Sequence, residues 1–192
     1  MSCVACFHNY IFVGNHQGYI RIFDLRSNTV KDMSPLYDRQ VAENKVTCID
    51  ISGNMMYLIA GYKDGSLALW DVLGAKLEKL MPKIHTSEIT GAKIYNLSED
   101  NKTIQVVSSE VRGRVCLVEV NYRAFFMGST FNKVVLFEKR LKTSTSIAVN
   151  KSAKLFEQGH WDQRKLVAFG SVAEVVVASM KPIKELFKLK RP

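Results

Sequence analysis

A chain of 192 residues is long enough for one domain with a sizeable core, and 47% apolar against 23% charged residues excludes a disordered segment. No run approaches the roughly 18 uninterrupted apolar residues of a membrane span, and the longest candidate, Val175-Val176-Val177-Ala178, is strand-sized. The net charge of +9 is uneven: residues 1–120 carry 13 Lys/Arg and 13 Asp/Glu, whereas residues 121–192 carry 14 and 5. Strand signals then follow in chain order. Val4 to Phe7 is short and apolar. Tyr10 to Val13, a polar tip around Asn15-His16-Gln17, Gly18, and Ile20-Arg21-Ile22-Phe23 ending at Asp24 read as a hairpin, with a further strand at Thr29-Val30-Lys31. Val46 to Ile51 opens the same series again. Leu58-Ile59-Ala60-Gly61, a tip of Tyr62-Lys63-Asp64, Gly65, Leu67-Ala68-Leu69-Trp70 and Asp71 continue it, and Lys76 to Leu80 ends it. A third series has Ile89 to Tyr95, Ile104 to Ser109, Gly113, Val115 to Val118 and Glu119, with Phe125-Phe126-Met127 and Val134 to Glu138 after it. Leu166 to Phe169, Val175 to Ala178 and Leu186 to Leu189 give three strands of a last unit, with Met180-Lys181-Pro182 as a turn.

The spacing carries the argument. Gly18, Gly65 and Gly113, and the closing acids Asp24, Asp71 and Glu119, recur at intervals of 47 and 48 residues. A repeat of that period with about four strands per unit is the signature of propeller blades. Glycine after each polar tip supplies the positive φ that a tight hairpin demands. The sequence therefore predicts an all-β fold: a partial β-propeller of about four four-stranded blades whose last part is irregular, and the Asp64-Gly65 and Leu69-Trp70-Asp71 pattern within it resembles the WD40 type. The whole of 1–192 is one incomplete propeller, with blades at roughly 1–33, 44–82, 88–138 and 164–192 and an insertion or long loop at 139–163. Four blades, one of them poor, are few for a closed ring. The chain reads as a piece of a larger protein, or as one whose open edges pair with another chain.

Several constellations are candidate sites. Cys3 and Cys6 form a CxxC near His8, but zinc needs four ligands, no second CxxC exists, and strand alternation puts the two thiols on opposite faces. Packed strand cysteines are the better reading. Four cysteines are no disulfide scaffold, so a reducing cytosol is expected, and residues 1–6 lack the basic and apolar character of a leader peptide. Asp50, Asp64, Asp71, Glu99 and Glu119 are acids, but Asp64 and Asp71 fall at turns and strand ends, where a carboxylate shapes backbone. His16, His85 and His160 have no nucleophile at a recognisable elbow, and the glycines of 14–18 open a strand rather than a phosphate-binding helix. Trp70 reads as a core anchor. Trp161, in the polar stretch 158–163, is either a binding hot spot or a pin for the insertion. Lys181, Lys184, Lys188, Lys190 and Arg191 make a basic end, read as solvated surface before any lipid contact. No catalytic, cofactor-binding or metal residue is expected, and no small-molecule substrate, cofactor or nucleic acid.

Asp64-Gly65 followed by Leu69-Trp70-Asp71 resembles the ending of a WD40 repeat. That family links a histidine, a Ser/Thr, the turn aspartate and the strand tryptophan. Asp64 and Trp70 match in one blade, which lacks the histidine. His85 takes the histidine place of the next blade, where Val118 replaces tryptophan. The run Leu58 to Leu77, then Ile84-His85, Ile89-Thr90-Gly91-Ala92-Lys93-Ile94, Gly113-Arg114-Val115 with Glu119, and Val175 to Pro182 before Leu186-Phe187, is similar in order to the N-terminal propeller of the vacuolar protein sorting-associated protein 8 family. The similarity covers about residues 10–190 and is strongest from 46 to 120. It implies a non-catalytic protein-binding platform in an endosomal vesicle-tethering complex (CORVET). Such a platform is cytoplasmic, lies peripherally on endosomal or vacuolar membrane, and has other tether subunits and an endosomal Rab-type GTPase as partners. The alternative is a WD40 scaffold of another class, a ubiquitin-ligase substrate receptor or a ribosome-assembly factor.

Overall fold

The computed structural model describes residues 2–34, 44–97, 103–122, 129–138, 144–149, 166–171, 174–180 and 183–190. They form four antiparallel four-stranded sheets. The first contains β1 (Cys3–Phe7), β2 (Tyr10–Gly14), β3 (Ile20–Asp24) and β4 (Thr29–Met33). The second contains β5 (Val46–Ile51), β6 (Tyr57–Tyr62), β7 (Leu67–Asp71) and β8 (Lys76–Met81). The third contains β9 (Ile89–Leu97), β10 (Thr103–Glu110), β11 (Val115–Tyr122) and β12 (Ser129–Phe137). The fourth contains β13 (Ser144–Val149), β14 (Leu166–Ser171), β15 (Glu174–Met180) and β16 (Ile183–Lys190). Within each sheet the strands follow chain order. The inner strands β1, β5, β9 and β13 pack in series, so the sheets are consecutive blades.

The hairpin turns are as the spacing predicts. Gly18, Gly65 and Gly113 have φ of 85°, 86° and 81°. Each turn is closed by the same backbone bond, Asn15 N to Tyr19 O, Tyr62 N to Ser66 O and Glu110 N to Arg114 O, all 3.0 Å. The closing aspartates have a local task. Asp24 Oδ1 accepts the Arg26 amide and Asp71 Oδ1 the Leu73 amide, at 2.9 and 3.0 Å, fixing the turn to the outer strand. Glu119 is one methylene longer and instead accepts from Gln105 Nε2 and Asn121 Nδ2, at 2.8 and 3.1 Å.

One expected boundary differs. Ser144–Val149, inside the stretch expected as insertion or long loop, pairs with β14 and completes the fourth blade. Its Ser/Thr-rich surroundings hide the strand, and Ile147 is its buried contact with blade 3. Phe125, Phe126 and Met127 lie outside the described residues.

The core lies between blades. Phe12, Ile20, Ile22 and Met33 of blade 1 meet Ile49, Leu58, Ala60 and Trp70 of blade 2. Ile59, Leu67, Leu69 and Met81 of blade 2 meet Ile94, Val106, Cys116 and Val118 of blade 3. Tyr95, Val107 and Val115 of blade 3 meet Ile147, Val167, Phe169 and Val176 of blade 4. Strands of blade 2 are therefore buried on both faces, which explains why Leu67-Ala68-Leu69-Trp70 is apolar throughout instead of alternating. The approach is close where Gly14 faces Val46 and Gly61 faces Ile89. A Cβ on either glycine would sit 2.8 or 2.7 Å from the side chain of the next blade's inner strand.

Candidate functional site

Among the described residues the only histidine with buried polar partners is His85, in the connection between β8 and β9. Its amide donates to Gly65 O at 3.0 Å, tying this connection to the blade 2 turn. Its Nε2 lies 2.8 Å from Ser108 Oγ on β10, and its Nδ1 lies 3.6 Å from Glu110 Oε2 at the end of the same strand. Serine, histidine and acid in that order resemble the set that activates a nucleophile. Two facts decide against that use. The Ser108 and His85 side chains are fully buried, leaving no route for a substrate. The Glu110 carboxylate is also already occupied: Oε2 accepts the Thr86 and Ser87 amides at 2.7 and 3.1 Å, and Thr86 Oγ1 donates to it as well. The trio is a latch holding the connection between blades 2 and 3.

Its electrostatics fit that role. Burial, opposed by Glu110 and assisted by Lys133 and Arg114, pushes the His85 pKa down to about 4, so the ring is neutral at neutral pH. Burial alone would raise Glu110. The Thr86 amide, His85, the Ser87 amide and Arg114 together hold it below its ordinary value.

The other candidates are distributed, not convergent. Cys3 packs beside Gly14 while Cys6 is exposed, on opposite faces of β1 as alternation requires. His8 turns the chain at φ 50° with its ring edge-on to Phe7. Burial raises the thiols of Cys48 and Cys116 to about 12 and 11, which keeps them protonated and unreactive. Asp50 joins two inner strands: Oδ1 pairs with Lys93 Nζ and Oδ2 accepts the Ile94 amide, both at 2.9 Å. Asp64 accepts the Ser66 amide and hydroxyl. Among the described residues no group of three or more His, Cys, Asp or Glu is placed to hold a metal ion. No helix of the described residues is long and apolar enough to cross a membrane. Trp70 is fully buried, as a core anchor should be. Glu99, His160, Trp161, Lys181 and Arg191 lie outside the described residues. Lys184, Lys188 and Lys190 are exposed on β16, where Lys188 pairs with Glu174.

What the sequence reading did not single out is an open groove of about 530 Å³ on the outer face of blade 1. Val13, Tyr19, Phe23 and the Arg21–Asp32 pair line it. Arg21 donates twice to Asp32, at 2.7 and 2.9 Å, in the open. Its signal lay in the alternation of β3, where Arg21 and Phe23 share a face.

Known proteins agree with this architecture. A solved β-propeller domain of Myceliophteria thermophila Cps50 (Swd1) superposes with a TM-score of 0.72 at 15% identity, covering 100% of this chain and 55% of that one. A chain of a Mitotic Checkpoint Complex structure superposes with a TM-score of 0.63 at 15% identity, covering 97% and 51%. At such identities the likeness concerns the fold. By sequence, WD repeat and FYVE domain-containing protein 2 of Caenorhabditis briggsae is 30% identical over 94 residues, 46% of this chain and 21% of that protein. The matched region is thus about a fifth of that relative's length. The family described as Vps8 beta-propeller matches residues 1–192. With four consecutive blades and a match over every residue, the chain belongs to the Vps8 β-propeller family.

Proposed function

We propose that this chain is a protein-binding platform of a CORVET-like endosomal tether, peripheral on endosomal or vacuolar membrane, engaging a Rab-type GTPase and neighbouring tether subunits in vesicle docking and transport to the vacuole or lysosome. The observation that carries the reading is membership of the Vps8 propeller family over the full 192 residues. Propellers of this kind are protein-interaction scaffolds. The geometry supports the same reading: buried polar groups such as His85, Ser108, Glu110 and Asp50 are used to join blades, leaving the exposed surface for other macromolecules.

A pull-down tests it. The chain, immobilised, is offered endosomal Rab GTPases loaded with GTP or GDP, and separately the other tether subunits. Preferential capture of the GTP state and retention of at least one subunit are expected. Equal or absent capture of both nucleotide states, with no subunit retained, overturns the proposal. The exposed lysines of β16 favour one second reading, an RNA-bound assembly factor. That reading requires RNA retention that falls steeply with salt.

A further inference from the structure

The latch around His85 also gathers three loops at one rim of blades 2 and 3. The His85 amide donates to Gly65 O at 3.0 Å, the Thr86 amide to Glu110 Oε2 at 2.7 Å, and the Val111 amide to Glu88 O at 2.9 Å. The β6–β7 turn (63–66), the connection 82–88 and the β10–β11 turn (111–114) therefore form one continuous surface. Lys63, Lys83, Thr86, Val111 and Arg112 are exposed on it. Blades 2 and 3 each have a packed neighbour on both sides, so this exposure does not depend on which blades end the series.

Charge on this surface is one-sided. Elsewhere on blades 2 and 3, Lys45 pairs with Glu88, Lys76 with Glu78, Lys93 with Asp50 and Arg114 with Glu138, and Lys79 lies over the Phe131 ring. Among the described residues of these blades, the cations without an ion pair are Lys133 on the outer strand β12 and the three on this surface, Lys63, Lys83 and Arg112. The acids beside these three are engaged within the chain. Asp64 turns back on its own turn, accepting the Ser66 amide and hydroxyl at 2.9 and 2.8 Å. Glu88 faces Lys45 at 3.6 Å, and Glu110 is buried.

The backbone at Lys83 points the same way. Lys83 follows Pro82 and holds φ at 55°, where a Cβ crowds the following carbonyl and glycine or asparagine fits more easily. The other non-glycine residues with positive φ form two pairs 47 apart, His8 with Met55 and Asn28 with Ala75, so their strain belongs to the blade plan. Lys83 has no such counterpart among the described residues. Strain kept at an exposed side chain with no packing to offset it is a mark of use.

We infer that this three-loop surface docks an acidic segment of a partner protein, with carboxylates on Lys63, Lys83 and Arg112 and an apolar side chain on Val111, which is 39% exposed. The inference rests on reading the chain as a protein-binding platform, and adds where a partner segment seats and what chemistry it carries. Its sign follows from the unpaired charge. Three cations on three separate loops suit carboxylates spread along a chain. The latch fixes the backbone beneath them, so little loop ordering is lost on binding.

The test titrates the whole chain against a fluorescein-labelled decaglutamate peptide, read by anisotropy. Binding that weakens as salt rises is expected. K63E/R112E should lower the affinity about tenfold or more, because it reverses two of the three contacts. K184E/K190E changes the net charge equally at two exposed lysines of β16 and should hold the affinity within about twofold. Lys83→Asn removes the charge but suits the left-handed backbone. It should melt no lower than the unaltered chain and yet bind several-fold more weakly, an outcome that a purely structural lysine would not give. Absence of peptide binding, equal losses in the two double variants, full binding by Lys83→Asn, or binding to phosphatidylserine-containing vesicles in place of the peptide overturns the proposal. No GTPase or tether subunit enters this titration, so its failure and that of the pull-down are read separately.

Discussion

Blades 2 and 3 occupy equivalent places in the chain, yet they fill the same positions with opposite chemistry. Where blade 2 has Ala60, Tyr62 and Trp70, blade 3 has Ser108, Glu110 and Val118. Blade 2 is held by two large rings, both fully buried. Blade 3 is held by a polar latch in which His85 Nε2 bonds with Ser108, Glu110 accepts the Thr86 and Ser87 amides, and His85 Nδ1 lies 3.6 Å from the Glu110 carboxylate. An apolar anchor works by excluding water and needs only volume, whereas a polar latch depends on the hydrogen bonds its buried members keep. One backbone plan therefore tolerates either solution, but the two should fail in different ways.

The largest expected effect is at the apolar anchor. Trp70→Ala removes a fully buried side chain between blades 1 and 2 and should cost about 3–5 kcal/mol, read as a lower denaturant midpoint with little change in slope. Val118→Ala at the equivalent position of blade 3 should cost about half as much, since far less volume is lost. Equal costs would mean that the tryptophan ring is not the anchor of its blade.

Next comes acid. His85 titrates at about 4 in the fold against an ordinary 6.5, so between these values the unfolded chain holds the extra proton. The contribution is complete above about pH 6.5 and is lost as pH falls toward 4, by up to about 3 kcal/mol. Glu110, held below its ordinary 4.5, adds to the loss at lower pH. His85→Gln should lower stability at pH 7 and flatten the dependence between pH 4 and 6.5, as followed by thermal melts across that range. A slope unchanged in the variant would show that the latch does not carry the acid sensitivity.

These positions also show what sequence reveals and what it conceals. Gly18, Gly65 and Gly113 were legible because only glycine enters the left-handed region freely, so the geometry leaves its mark in composition. The same repeat contains two further left-handed positions that leave no such mark. His8 and Met55, 47 residues apart, have φ of 50° and 58°, and Asn28 and Ala75, again 47 apart, have 53° and 50°. His85 was placed as a blade histidine from its position. Its partners were not, because Ser108 lies in an ordinary apolar strand pattern and Glu110 stands where blade 2 has a tyrosine. The latch depends on three-dimensional convergence, which spacing does not encode. β13 was hidden for another reason: among its described side chains, 146–149, only Ile147 is buried, too little for an alternation to stand out.

A further contrast between the blades concerns where the small residue sits. In blade 2 Cys48 on β5 faces Gly61 on β6. In blade 3 the glycine has moved to the inner strand, and Gly91 on β9 faces Ser109 on β10. In blade 2 the glycine is needed because both its strand partner and the next blade press on it. A Cβ on Gly61 would lie 2.6 Å from Cys48 Sγ and 2.7 Å from Ile89 Cγ2, whereas one on Gly91 would meet its nearest neighbours at 3.4–3.5 Å. Gly61→Ser should therefore cost about 1–3 kcal/mol through overpacking, and Cys48→Gly in the same chain, which recreates the blade 3 arrangement, should recover part of it. A double-mutant cycle of unfolding free energies reads the coupling, and strict additivity would show that the two positions do not share one space.

The smallest effect tests the concealed repeat. Ala75 holds φ 50° at the turn between β7 and β8, where the equivalent residue of blade 1 is Asn28 at φ 53°. An alanine pays a steric penalty in this region because its Cβ crowds the following carbonyl, while asparagine enters it more readily through local hydrogen bonds. Replacing Ala75 with Asn copies the blade 1 solution into blade 2 and should stabilise the chain by about 0.5–1 kcal/mol, raising Tm by about 1–4 °C. The reverse change, Asn28→Ala, should lower it by a similar amount. If both substitutions destabilise, the two turns are held by their surroundings, Ala75 by its packing on the core between blades 1 and 2, and not by the conformational preference that their shared period suggests.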